Sequence, residues 1–180
     1  MKSYKMLIYK LLSQNEISKF PEIDRSEKVQ YSYVYKDNQL EIVPCELKIE
    51  DWEEEELADF IQRLHDLYDR CGFIWGTFEE NRLVGLVSLD NKRFGKNLDF
   101  LKLDMLYVSN SHRGKGIGRK LMAISKTKAR EMGASKLYIS ATPFKNTVDF
   151  YLGLGAVLTS ELNQELFDLE PEDVHLEIEV

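Results

Sequence analysis

The sequence predicts an α/β (α+β) fold in which a mixed central sheet, containing one parallel strand pair, is flanked by helices. Three observations predict it: residues 73–90 read as two strands joined by a tight turn, residues 98–143 as strand, helix, strand, and residues 52–70 carry a helical apolar stripe. Hairpins followed by a crossover put antiparallel and parallel pairing in one chain and place helices on the sheet faces.

In chain order, residues 6–12 (MLIYKLL) predict a first strand. Ser13-Gln14-Asn15-Glu16 has the S-x-x-E form of a capping box and opens a short helix that Pro21 stops. Val29, Tyr31, Tyr33 and Tyr35 alternate in VQYSYVY, and KDNQ separates them from LEIV (40–43), a hairpin pattern. From about Trp52 to Arg70, the residues Leu57, Phe60, Ile61, Leu64, Leu67, Tyr68 and Cys71 recur at helical spacing. Asp51 is placed to cap this helix, Glu53 to Glu56 suit the positive end of its dipole, and Gly72 ends it. FIWGTFEE (73–80) and NRLVGLVSLD (81–90) turn at residues 79–82, and a polar loop fills 91–97. LDFLKLDMLYVS (98–109) is a long strand, and the chain from Gly116 to Met132 is a helix with Ile117, Leu121, Met122, Ile124 and Ala129 inward. KLYISATP (136–143) is a strand, NTVDFYLGLG (146–155) a short helix, and AVLTS (156–160) and VHLEIEV (174–180) are closing strands.

The 180 residues suit one domain, with residues 1–50 as an N-terminal extension that contains the extra tyrosine-rich hairpin. A hydrophobic content of 43% with 31% charged residues describes a globular chain. No apolar run reaches the ~18–20 residues that span a bilayer, and MKSYKMLIYKLL lacks the apolar core and cleavage site of a secretory leader. Two cysteines, Cys45 and Cys71, suggest neither a disulfide framework nor a metal cluster, so the expected location is the cytoplasm and no metal is expected. A net charge of -7 argues against duplex nucleic acid as a partner, because that affinity comes mostly from basic surface. No membrane partner is expected either.

Within this acidic chain SHRGKGIGRKL (111–121) holds four positive charges, three glycines and no carboxylate. It lies between a strand and a helix N-terminus, where the first backbone N–H groups lack intrahelical acceptors and the dipole favours an anion. Gly114, Gly116 and Gly118 let the main chain approach such an anion, while Arg113 and Lys115 add charge. The alternative is a tight turn with solvated charges. The spacing is neither a P-loop nor a dinucleotide fingerprint.

Arg113-Gly114-Lys115-Gly116-Ile117-Gly118 matches R-x-x-G-x-G, and Asn146 through Tyr151 to Gly155 matches N-x-x-x-x-Y-x-x-x-G. With this ordered pair, residues 73–156 resemble the GNAT superfamily of acyl-CoA-dependent N-acyltransferases. The resemblance implies that the strands before and after the central helix splay apart. It implies that Arg113, Gly114, Lys115, Gly116, Ile117, Gly118 and Arg119 cradle the pyrophosphate of coenzyme A. The backbone of Leu106, Tyr107 and Val108 would pair with the pantetheine arm, and Asn146 would bond the coenzyme or start its helix. Tyr151 would be the proton donor to the departing thiolate, the other reading being core packing beside Phe150. Asp104 would be the general base or an amine-binding carboxylate. It stands in a mostly apolar strand on the face of Lys102, Leu106 and Val108, where a salt bridge to Lys102 is the structural alternative.

The implied activity is transfer of an acetyl group from acetyl-CoA, as cosubstrate, to a primary amine of a small molecule. A protein N-acetyltransferase and a silent acyl-CoA-binding sensor are the alternatives. Tyr31, Tyr33 and Tyr35 would cover the acceptor or pack against a second subunit in a homodimer. His65 and His175 are expected at the surface, and Glu53 to Glu56 and the acidic stretch 161–173 either attract a cation or are solvated. One departure from the family pattern is Ala156, a small side chain where a ring is usual.

Overall fold

The computed structural model describes residues 6–37 and 39–180; the basic start at residues 1–5 and Asn38 of the KDNQ turn lie outside them. The elements in chain order are β1 (Leu7–Leu11), β2 (Glu27–Lys36), β3 (Gln39–Ile49), α1 (Glu54–Asp69), β4 (Phe73–Glu79), β5 (Arg82–Leu89) and β6 (Phe100–Val108). They continue with α2 (Ile117–Glu131), β7 (Lys136–Ala141), α3 (Lys145–Leu152), β8 (Val157–Leu158), α4 (Gln164–Leu169) and β9 (Val174–Glu179). The chain divides into two compact units, Met1–Ser26 with Glu50–Asn91 and Asp104–Ser125, and Glu27–Ile49 with Lys92–Leu103 and Lys126–Val180.

In the first unit the strand order is β1-β4-β5-β6. β1 and β4 are antiparallel from Leu7↔Glu79 to Leu11↔Trp75, and β4 and β5 close a hairpin at Glu79↔Arg82. Glu80 takes the positive φ of 56° that this two-residue turn demands. From Leu83 to Leu89 every residue of β5 is buried, so the strand reads as a continuous apolar run without alternation. Leu64 and Leu67 of α1 pack with Ile17, Phe20, Ile74, Phe78, Leu83 and Leu86 into one core.

The segment Gln14–Glu22 is a 3-10 helix, and Pro21 lies inside it where the sequence suggested a stop. The Ser13 N–H still donates to Glu16 Oε2 at 3.0 Å, as a capping box requires. Phe20 within it is fully buried, with ring centroids of Trp52, Phe60 and Tyr107 at 4.8, 6.0 and 5.9 Å. Phe20→Ala is therefore expected to cost about 3–5 kcal/mol, the range for emptying a buried aromatic site. A urea titration followed by fluorescence measures it.

Two helix ends differ from expectation. Glu53, not Asp51, is the N-cap of α1, because Asp51 Oδ1 accepts the Trp52 N–H at 2.9 Å and shapes the preceding turn. At the other end Cys71 adopts φ 64°, while Gly72 donates its N–H to Leu67 O at 2.8 Å.

In the second unit β6, β7, β9 and β8 follow one another. β6 and β7 are parallel from Phe100↔Lys136 to Leu103↔Ile139, and their pairing ends there, as splayed strands require. β7 and β9 are antiparallel, as are β8 and β9. The β2–β3 hairpin is longer than expected, with an irregularity between Val29 and Tyr31. It joins the chain before α3 through Tyr33 N–H to Pro143 O at 2.7 Å and Ser32 Oγ to Pro143 O at 3.0 Å. AVLTS contributes only the two residues of β8, and part of the acidic stretch folds as α4, capped by Asn163 accepting from Leu166 N–H. Mixed pairing with flanking helices is the fold class the sequence predicts. No helix among the described residues is long and apolar enough to cross a membrane.

Candidate active site

The glycine-rich segment folds as two tight turns running into α2. Asn110–His112 form a single 3-10 turn, Gly114 has φ 73° and Gly116 has φ 84°. Both conformations strain any residue with a Cβ. A Cβ built on either glycine would meet no atom within 4 Å, so the main chain borders open space. Lys120 N–H to Gly116 O, at 3.0 Å, is the first bond of the helix, which leaves the amides of Ile117, Gly118 and Arg119 ahead of it. Gly114, Lys115, Gly116 and Arg119 are exposed, and Ile117 is buried. Helix dipole, bare amides and two exposed cations suit a diphosphate.

Local packing fixes the start of this helix. Ile117, Leu121 and Ser125 are buried on one face, and Ser125 Oγ donates to Leu121 O at 3.0 Å. Gly85 of β5 lies beneath it: a Cβ there would sit 3.2 Å from Ile117 Cγ2 and 3.3 Å from Tyr107 O. Arg113, expected on phosphate, turns its Nε to Val108 O at 3.1 Å and Nη2 to Arg25 O at 3.4 Å. The preceding segment is tied to residue 24 as well. Asp24 N–H donates to Ser109 Oγ at 3.1 Å, and Asn110 N–H donates to Asp24 O at 2.8 Å. Hydrogen bonds from Ser26 hold the Asp24 carboxyl below its ordinary range.

Leu106, Tyr107 and Val108 form the half-buried end of β6. The Tyr107 ring contacts Trp52 at 5.1 Å and Phe60 at 5.9 Å. Arg25 stacks 4.5 Å from the Trp52 ring and pairs with both oxygens of Glu56 at 2.6 and 2.5 Å. Glu56, one of the three glutamates in the first turn of α1, is thus held in an ion pair. Asp104 is nearly buried, its side chain 6% exposed, and Arg63 of α1 donates Nη2–H to its Oδ1 at 2.9 Å. Ser88 Oγ lies 3.4 Å from Asp104 Oδ2. Sequence reasoning offered a salt bridge to Lys102 as the structural alternative and did not foresee Arg63, which reaches Asp104 from another element 41 positions away.

Asn146 and Tyr151 belong to the second unit. Asn146 is not the cap of α3, which is Phe144; it is exposed, and its Nδ2 donates to Glu27 Oε1 at 2.9 Å. Tyr151 is buried, 6% exposed, with the Phe150 ring 5.1 Å away. Its carbonyl accepts N–H groups from Leu154 and Ala156, both at 3.0 Å, which fixes the backbone where the helix ends. Tyr33 was expected to cover the acceptor or to pack against a second subunit. Its hydroxyl donates to Asp149 Oδ1 at 2.8 Å, which raises the phenol, while Lys145 pairs with Asp149 Oδ2 and holds that carboxyl down.

His175, expected at the surface, is buried, because β9 pairs on both sides and Phe167 packs 5.6 Å from the ring. Its Nδ1 is 2.9 Å from the Tyr138 hydroxyl; burial pushes the imidazole down and the phenol up, which keeps this a neutral pair. Nearby, burial and the Glu170 carboxylate push Asp173 up to about 7, against a 2.9 Å bond from Ser140 Oγ. The folded chain binds a proton there that the unfolded chain has released, so stability from this site is full below the ordinary value near 3.8 and is lost as pH rises through about 7. Asp173→Asn should therefore raise the thermal midpoint by a few degrees at pH 8 and leave it unchanged at pH 3.5, as followed by circular dichroism.

The model of the acetyltransferase (GNAT) family matches residues 31–156. A protein of Escherichia coli (strain K12), named Uncharacterized N-acetyltransferase YjgM, is 30% identical over 97 residues, which cover 53% of this chain and 58% of that relative. The chain thus matches just over half the length of that protein. The fold is similar to the crystal structure of nourseothricin acetyltransferase, with a TM-score of 0.72 at 18% identity over 96% of this chain and 98% of that one. It is also similar to the PaiA N-acetyltransferase from Thermoplasma acidophilum in complex with coenzyme A, with a TM-score of 0.63 at 15% identity, over 97% and 99% of the two chains. The family match takes in the glycine-rich loop, β6 and Tyr151, and reaches across more than half of the chain: it belongs to the acetyltransferase (GNAT) family.

Proposed function

We propose that the chain is an N-acetyltransferase that moves an acetyl group from acetyl-CoA to a primary amine of a small molecule. The observation that carries this reading is the pair of positive-φ glycines, Gly114 and Gly116, bordering open space at the N-terminus of α2. Crystallisation of the similar PaiA protein with coenzyme A supports it. The name of the similar nourseothricin acetyltransferase supports a small acceptor.

The amides of Gly116, Ile117, Gly118 and Arg119 hold the diphosphate, with Lys115 and Arg119 supplying charge. The β6 backbone from Leu106 to Val108 aligns the pantetheine arm. Bound acetyl-CoA supplies a thioester carbonyl, to which the amine nitrogen bonds as the carbon–sulfur bond breaks. Asp104 faces the acceptor amine and orients it by charge. An alkylamine of pKa near ~10 is neutral in about one molecule per thousand at pH 7, a deficit of roughly 4 kcal/mol. Its surplus proton leaves to solvent before attack, the nitrogen releases a second proton to solvent as the amide forms, and coenzyme A departs as a thiolate to which the Tyr151 hydroxyl donates a hydrogen bond.

The test is a screen of purified protein with acetyl-CoA against small amines and lysine-containing peptides, following thiol release. Turnover of small amines is expected. Turnover of peptides alone would move the acceptor to the protein class, and coenzyme binding with no acceptor at all would leave a sensor.

A further inference from the structure

The pairing of Arg63 with Asp104 carries an inference that rests on the acetyl-transfer reading above. A nearly buried carboxylate beside an arriving amine is a strong binding site for an ammonium ion, because little water competes for either charge. An ammonium held there has no lone pair and cannot attack. The carboxylate of Asp104 does not stand alone, however. One oxygen takes a guanidinium N–H at 2.9 Å and the other lies 3.4 Å from the hydroxyl of the fully buried Ser88. Arg63 itself is held from α1, its guanidinium 5.6 Å from the Phe60 ring, and Phe60 packs against Tyr107 at 5.9 Å. Among the described residues Arg63 pairs with Asp104 from across it, and Lys102 shares its strand face by alternation.

We propose that Arg63 is a positioning residue that balances the charge of Asp104, so that the carboxylate orients the acceptor amine without clamping it as an ammonium ion. Remove the guanidinium and the substrate's own ammonium takes its place as counter-ion. Binding then tightens while the reactive neutral fraction falls. A purely structural role for the pair predicts the reverse for binding, since a disturbed site holds its substrate less well.

The experiment compares wild type, Arg63→Met, Arg63→Lys and the double variant R63M/D104N, using the best small amine from the screen. For Arg63→Met at pH 7, KM for the amine and kcat should both fall, each by about tenfold, and kcat should recover as pH rises toward 9. Arg63→Lys keeps the counter-charge and should stay near wild type, and the double variant should lose the tightened KM. Calorimetry should give the same acetyl-CoA affinity, and melting the same folded fraction at assay temperature, for all four proteins. A rise in amine KM for Arg63→Met, or a lysine variant as impaired as the methionine one, overturns the proposal while leaving acetyl transfer intact. If Arg63→Met does not fold, Arg63→Lys against Arg63→Gln decides on the same split. Failure of wild type itself to bind acetyl-CoA would instead strike the functional reading, and the role of Arg63 would fall with it.

Discussion

Tyr151→Phe is expected to lower turnover by about 10²-fold or more while changing coenzyme A affinity less than about twofold. The substitution removes one oxygen from a buried ring whose backbone is fixed by the amides of Leu154 and Ala156. Phenylalanine fills the same volume, so packing survives. A phenol with pKa near ~10 is a weaker acid than a thiol near ~8.5, so the contribution proposed for it is a hydrogen bond that strengthens as charge develops on sulfur. An interaction made mainly in the transition state shows in kcat and not in binding. Steady-state kinetics beside calorimetry with coenzyme A read the two quantities separately. Unchanged turnover removes Tyr151 from the mechanism and returns it to core packing.

Gly116→Val is expected to reduce coenzyme A affinity by more than about 100-fold in a chain that still folds. Two effects act together. The residue has φ 84°, a conformation that costs an L side chain about 1–2 kcal/mol, so the loop pays in strain or moves. A Cβ there meets nothing within 4 Å, so the new side chain enters the open space proposed for the diphosphate. The strain is small beside the stability of a typical domain, about 5–15 kcal/mol, which keeps the variant folded. Titration calorimetry measures the affinity, and thermal melting controls for folding. Normal affinity in a folded variant would deny the loop its phosphate.

Local signals were the ones most legible in the sequence. Two short apolar runs and the polar turn between them located the β4–β5 hairpin and its closure at Glu79 and Arg82. The Gly114 and Gly116 pair was readable because its chemistry lies in consecutive residues. Features that depend on distant partners were not. Arg63 meets Asp104 across 41 positions and Asn146 meets Glu27 across 119, and no periodicity encodes such encounters. His175 was expected at the surface because it lies in the last strand of the chain, whereas β9 has a neighbour on each side. Asp51 has the better capping side chain, but its carboxylate is taken by the adjacent Trp52 amide, so the helix begins two residues later than expected. Proline at 21 was read as a breaker for an α-helix, and a 3-10 turn tolerates it.

The central claim is that the main-chain amides at the start of α2 hold the coenzyme by its diphosphate. A crystal structure of the protein grown with acetyl-CoA tests it most directly. The account predicts diphosphate oxygens within hydrogen-bond distance of the amides of residues 116–119. A coenzyme anchored on other residues, with that loop empty, would contradict it.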